Sequence, residues 1–64
     1  MSIGRNIAKL RHAQSLTQKE LAERAWISVS YLSRIEEGEC SRPHAKTLSR
    51  IAVALGTKIG ELGR

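Results

Sequence analysis

Few side chains in this 64-residue chain could perform covalent or metal chemistry. The sequence contains no Asp, two His (His12 and His44) and one Cys, Cys40. A nucleophilic triad or a metal site needs several such residues at a defined spacing, and neither spacing occurs, nor does a Gly-rich phosphate loop. Cys40 can form no disulfide within the chain, so we expect an inert or solvent-facing thiol. The sequence therefore predicts that the protein is not an enzyme and has no metal or other cofactor.

The charge of the chain indicates an anionic partner. Lys and Arg total 11 against 6 acidic residues, which gives a net charge of +5. This balance favours nucleic acid first and an anionic membrane surface second, although a small basic domain can be merely soluble. No apolar run approaches the roughly 20 residues of a membrane span, and basic residues interrupt any signal-peptide-like segment near the N-terminus. We therefore expect a soluble, cytoplasmic protein with no membrane partner.

The stretch TQKELAERAWISVSYLSRIEEG predicts two short helices joined by a tight turn. The first begins with the spacing of a capping box, in which Thr17 caps the first turn and Glu20 reaches back to the Thr17 amide. The second begins after Ser28, another capping residue. Two capped helices separated by so short a turn form the helix-turn-helix arrangement, in which one helix lies across DNA and the next enters the major groove.

The rest of the sequence predicts three further short helices around this pair. Apolar residues recur at helical spacing with no strand pattern and no internal repeat. We expect Gly38 and Gly56 to end helices and Pro43 to lie in the first turn of one. The predicted fold is all-α, a compact bundle of five short helices in a single domain, residues 1–64. The expected helices cover residues 2–13, 18–25, 29–37, 44–55 and 58–62.

The third predicted helix exposes short side chains beside one long hydrogen-bond donor. A helix that enters a groove about 12 Å wide needs such a face, because bulky side chains would hold it away from the bases. Arg34 can donate two bonds to a guanine, and the methyls of Val29 suit a thymine methyl. The alternative for Arg34 is a surface ion pair with Glu37, three residues on. The exposed set is Val29, Ser30, Ser33 and Arg34.

Four segments together resemble a known family of DNA-binding proteins. They are IGRNIAKLR, TQKELAERA, ISVSYLSRIEEG and TLSRIAVALG, in this order, between Ile3 and Leu62. The chain resembles the phage-repressor and Cro type of helix-turn-helix protein, also called the Xre family. The resemblance implies a lambda-repressor-like domain of a prokaryotic or phage transcriptional regulator that binds a near-palindromic operator in double-stranded DNA as a homodimer. The alternative is an antitoxin or another protein-interaction module on the same fold. No small-molecule effector can be named from the sequence.

The resemblance also implies roles for individual residues. Gln18 matches a residue that bonds a phosphate and braces the recognition helix, and Ser28 matches a cap that also touches phosphate. Arg11 and Glu36 match a charged pair that ties the first helix to the end of the third. The base-reading positions are Val29, Ser30 and Arg34, with Ser33 beside them. The expected backbone contacts are Gln18, Ser28, Ser41, Arg42, His44 and Lys46, together with Tyr31. Packing at the edge of the core is the alternative for Tyr31, and a solvated surface position is the alternative for Arg42 and Lys46.

Trp26 is the clearest departure from the family pattern. The family often has Gly at this place in the turn, where φ is commonly positive and a bulky side chain is disfavoured. Either the turn has a different backbone or Trp26 gains something by packing or contact, and we expect a local packing role. At the C-terminus we expect Ile59 and Leu62 to close the core, with a dimer contact as the alternative.

Overall fold

The computed structural model describes residues 2–63, and this part of the chain forms five α-helices without a strand. The predicted all-α fold is confirmed, and the predicted helix boundaries differ from the observed ones by one residue at most. Pro43 was predicted to lie in the first turn of the fourth helix, but it lies two residues before that helix, which begins after His44. The helices are α1 Ile3–Ala13, α2 Gln18–Ala25, α3 Val29–Glu36, α4 Ala45–Leu55 and α5 Ile59–Leu62.

Side-chain hydroxyls cap the N-termini of the first three helices. The hydroxyl oxygens of Ser2, Thr17 and Ser28 each accept a hydrogen bond from the backbone N–H three residues on, at 3.2, 3.1 and 3.0 Å. At α2 the Thr17 N–H also donates to Oε1 of Glu20 at 2.9 Å, which completes the predicted capping box. These local bonds fix where α1, α2 and α3 begin.

A residue with positive φ follows each of the first four helices. In every case the next N–H along the chain bonds to the carbonyl five residues earlier, at 2.9 to 3.1 Å, as in a Schellman motif. Gly38 (φ 84°) and Gly56 (φ 69°) hold this position after α3 and α4, as predicted. Ser15 (φ 56°) and Trp26 (φ 60°) hold it after α1 and α2, although they carry the Cβ that this backbone conformation disfavours.

The hydrophobic core takes one face of each helix, as the helical spacing of the apolar residues predicted. The prediction for Ile59 was wrong, because this side chain is 48% exposed, whereas Leu62 is buried. A core of this size leaves a small net stability. The buried apolar residues are Ile7, Leu16, Leu21, Ala22, Ala25, Leu32, Ile35, Ile51, Ala52, Leu55 and Leu62.

The backbones of α1 and α3 approach each other closely at Gly4. A Cβ added to Gly4 would collide with the carbonyl oxygen of Ile35 and lie 3.0 Å from Cα of Glu36. Within its own helix Gly4 would only lower helix propensity. Its position shows that the absence of a side chain lets α1 support the end of α3.

Two amide side chains, one buried and one exposed, join distant parts of the chain. Nδ2 of Asn6 donates to the carbonyl oxygen of Leu62 at 3.0 Å, and Nε2 of Gln14 donates to that of Leu55 at 2.6 Å. Both acceptors lie at helix C-termini, where backbone carbonyls lack partners within their own helix. The bonds hold α5 and the end of α4 against α1, so the helix-turn-helix rests on a closed bundle.

Candidate nucleic-acid interface

The recognition helix, α3, is anchored on one side and exposed on the other. Leu32 is fully buried and Ile35 is 1% exposed, so both side chains fix α3 in the core. The opposite side carries the four predicted base-reading residues, which we call the reading face: Val29, Ser30, Ser33 and Arg34. Ser33 is half-buried, and the other three are exposed.

The predicted alternative for Arg34, an ion pair with Glu37, is not observed in the described residues. Oε2 of Glu37 instead accepts a hydrogen bond from the hydroxyl of Ser33 at 2.6 Å. This leaves the exposed guanidinium of Arg34 available to a ligand. The hydroxyl of Ser33, in contrast, already uses its proton within the helix.

A buried ion pair fixes the far end of α3, as the resemblance implied. Nε and Nη2 of Arg11 donate to the two carboxylate oxygens of Glu36 at 2.8 and 3.0 Å, and both side chains are 10% exposed or less. Nη1 of Arg11 also donates to the carbonyl oxygen of Leu16 at 2.8 Å. This bidentate geometry is the strong form of an Arg–carboxylate pair, and it ties α1 to both α3 and the loop before α2.

Gln18 joins the same network from the first turn of α2. Its Nε2 donates to Oε1 of Glu36 at 3.0 Å. The predicted bracing of the recognition helix is therefore present as a direct bond between α2 and α3. The second N–H of this amide has no partner among the described residues, and the side chain is half-buried rather than enclosed.

The other predicted backbone-contact residues lie at the start of α3 and on the loop and first turn that lead into α4. Ser28 accepts the Tyr31 N–H as the cap of α3, and Tyr31 is half-buried against the core, which matches the edge-packing alternative. No side chain caps the first turn of α4 within the described chain. Its early N–H groups are therefore free of a side-chain acceptor. The predicted residues exposed on this loop and first turn are Ser41, Arg42, His44 and Lys46.

The expectation of a local packing role for Trp26 is wrong. Its φ of 60° shows that the turn keeps the left-handed backbone that commonly accommodates Gly. The side chain is nonetheless 83% exposed, so packing within the domain does not compensate for this conformation.

Other kinds of site find little support in the described part of the chain. Residues 2–63 contain no cluster of His, Cys, Asp or Glu that could hold a metal ion. None of their helices is long and apolar enough to cross a membrane. Cys40, expected to be inert or solvent-facing, is half-buried and packs against the core.

The chain matches known proteins along almost its whole length. A family model described as helix-turn-helix matches residues 7–62. The immunity repressor protein of Bacillus phage phi105 is 39% identical over 62 residues, covering 97% of this chain and 42% of the repressor. An HTH-type transcriptional regulator of Sinorhizobium fredii, y4dJ, is 42% identical over 60 residues, covering 94% of this chain and 77% of that protein.

Solved structures of two regulators have the same fold. The restriction-modification controller protein C.AhdI from Aeromonas hydrophila has a TM-score of 0.89 at 28% identity, covering 94% of this chain and 89% of the other. The clp gene regulator ClgR from Corynebacterium glutamicum has a TM-score of 0.87 at 28% identity, covering 94% and 63%. These relatives favour a regulator over the antitoxin alternative. The chain belongs to the helix-turn-helix family of the phage-repressor and Cro type, as its sequence predicted.

Proposed function

We propose that this protein is a transcriptional regulator that binds a specific site in double-stranded DNA with α3 in the major groove. The observation that carries the proposal is the exposure of Val29, Ser30 and Arg34 on a helix whose opposite side is fixed in the core. A rigid helix with short side chains around one Arg can approach base edges closely. The net charge of +5 supports an anionic partner.

Base discrimination rests mainly on Arg34. Its guanidinium can donate two parallel bonds to O6 and N7 of a guanine, a pattern that no other base pair presents in the same way. Val29 supplies methyl groups for contact with a thymine methyl. The hydroxyls of Ser30 and Ser33 can donate or accept a hydrogen bond, so they discriminate less between bases. The Ser33 hydroxyl is further restricted because it donates to Glu37.

Phosphate contacts position the reading face in the groove. Gln18 can donate one amide N–H to Glu36 and the other to a phosphate, so one side chain would link the DNA backbone to α3. The N–H groups at the start of α4, which no side chain caps, suit phosphate oxygens as well. The remaining proposed contacts are Ser28, Tyr31, Ser41, Arg42, His44 and Lys46.

The proposed regulator binds as a homodimer on a near-palindromic operator. Two copies related by a twofold axis would place their α3 helices in successive major grooves, about 34 Å apart. Because the protein must reach such an operator, its proposed location is the cytoplasm. Its proposed role is binding rather than catalysis.

Selection of bound sites from random duplex DNA tests the proposal. The expected result is one enriched half-site, repeated in inverted orientation at a spacing of about 10 base pairs or a multiple of it. Affinity for the selected site should fall steeply with salt while still exceeding that for a scrambled duplex. Failure to enrich any sequence, or the absence of duplex binding at low salt, would refute the proposal.

A further inference from the structure

Trp26 combines a disfavoured backbone with almost complete exposure. A bulky residue at φ 60° carries a steric cost that glycine avoids. The indole recovers little of that cost inside the domain, because 83% of the residue is exposed. An uncompensated outlier of this kind points to a use outside the fold.

The position of Trp26 in the chain indicates which partner it faces. It lies two residues before Ser28 and three before Val29, so its Cα is at most about 10 Å from that of Val29. Trp26 thus lies close to the N-terminal end of the reading face, which enters the groove first in the proposed complex. Exposed Arg24 precedes it by two residues, which adds positive charge near the turn.

We propose that Trp26 is a further DNA-contacting residue, whose indole packs against the sugar–phosphate backbone at the edge of the major groove. The ring supplies an apolar face for deoxyribose, and its N–H, which has no partner among the described residues, supplies a donor for a phosphate oxygen. This inference rests on the proposed function, since it extends the same interface.

The first test uses Trp26 as its own reporter, because it is the single Trp of the chain. Quenching of its fluorescence by acrylamide, a neutral molecule, is measured with and without the selected duplex. The expected result is a quenching constant at least twofold lower in the complex. A quenching constant that does not change on DNA binding would overturn the inference. A fall of the same size when the protein is concentrated without DNA would also overturn it, because DNA contact would then not be the cause.

The second test separates the contribution of Trp26 to DNA binding from the steric cost of its left-handed backbone. Trp26→Gly should raise the melting temperature by roughly 5 °C because it relieves the left-handed Cβ, and yet weaken duplex binding about tenfold. Ser15→Gly is the matched control: it relieves the same conformation after α1 and should raise the melting temperature without changing affinity. Wild-type affinity in Trp26→Gly overturns the inference, whereas lack of binding by the wild type itself refutes the proposed function instead.

Discussion

Removal of the Glu36 carboxylate should destabilise the domain more than any surface substitution. In Glu36→Ala the Arg11 guanidinium, whose side chain is 10% exposed, loses its charged partner, and Gln18 loses its acceptor on α3. Breaking a buried pair by removing one partner costs about 3–5 kcal/mol, because the remaining charge stays buried without compensation.

That cost is large compared with the stability of a domain of this length. At roughly 0.05–0.15 kcal/mol per residue, 64 residues have a free energy of unfolding of about 3–10 kcal/mol. We therefore expect Glu36→Ala to be partly or wholly unfolded at 25 °C. Glu36→Gln keeps an acceptor oxygen and should lose less, about 1–3 kcal/mol.

Urea denaturation followed by circular dichroism measures these values, and a double-mutant cycle isolates the pair. Arg11→Met and Glu36→Leu should each destabilise strongly, whereas the double variant should recover to within about 2 kcal/mol of the wild type because no buried charge remains. If Glu36→Ala lowers the free energy of unfolding by less than about 1 kcal/mol, which is typical of exposed pairs, this reasoning is refuted. It is also refuted if the effects of the two single substitutions simply add in the double variant.

Three further predictions concern recognition, packing and pH. Arg34→Ala should cost about 1–3 kcal/mol on the selected site and relax preference at one base pair, whereas Lys46→Ala should weaken all sequences about equally and lower the salt slope by about 1, both measured by anisotropy titration. If Arg34→Ala keeps the preference, the reading face is assigned wrongly. Gly4→Ala should lower the free energy of unfolding in urea by about 1–3 kcal/mol, because its Cβ meets the backbone of α3; an unchanged value would show that the helices can separate freely. Hydrogen bonds from the Thr17 backbone N–H and hydroxyl lower the pKa of Glu20 below 4.5, so its contribution to stability is present above that pH and lost as the pH falls through the lowered pKa. Glu20→Gln should therefore flatten the acid limb of the stability profile, and an identical limb in both proteins would contradict the prediction.

The helices could be predicted because their signals are local. The capping box of Thr17 and Glu20 and the glycines after α3 and α4 act within a few residues, so sequence spacing is enough to locate them. The ion pair between Arg11 and Glu36 spans 25 residues, and only the family resemblance suggested it.

What could not be predicted depends on where distant segments meet. The need for Gly4 arises from the approach of α3, which its neighbours in sequence do not reveal. The bond from Gln14 to the end of α4 has the same origin. Trp26 was misjudged for a different reason: an apolar side chain usually implies packing, and its exposure follows from a backbone conformation that normally belongs to glycine.

The central claim, that the reading face on α3 recognises a DNA sequence, is tested most directly by comparing two duplexes in a salt titration. One duplex carries the site selected from random DNA, and the other carries the same bases scrambled. We predict that the selected duplex binds at least about 10³-fold more tightly at physiological salt and that both affinities fall with increasing salt. Equal affinity for the two duplexes across the titration would contradict the claim.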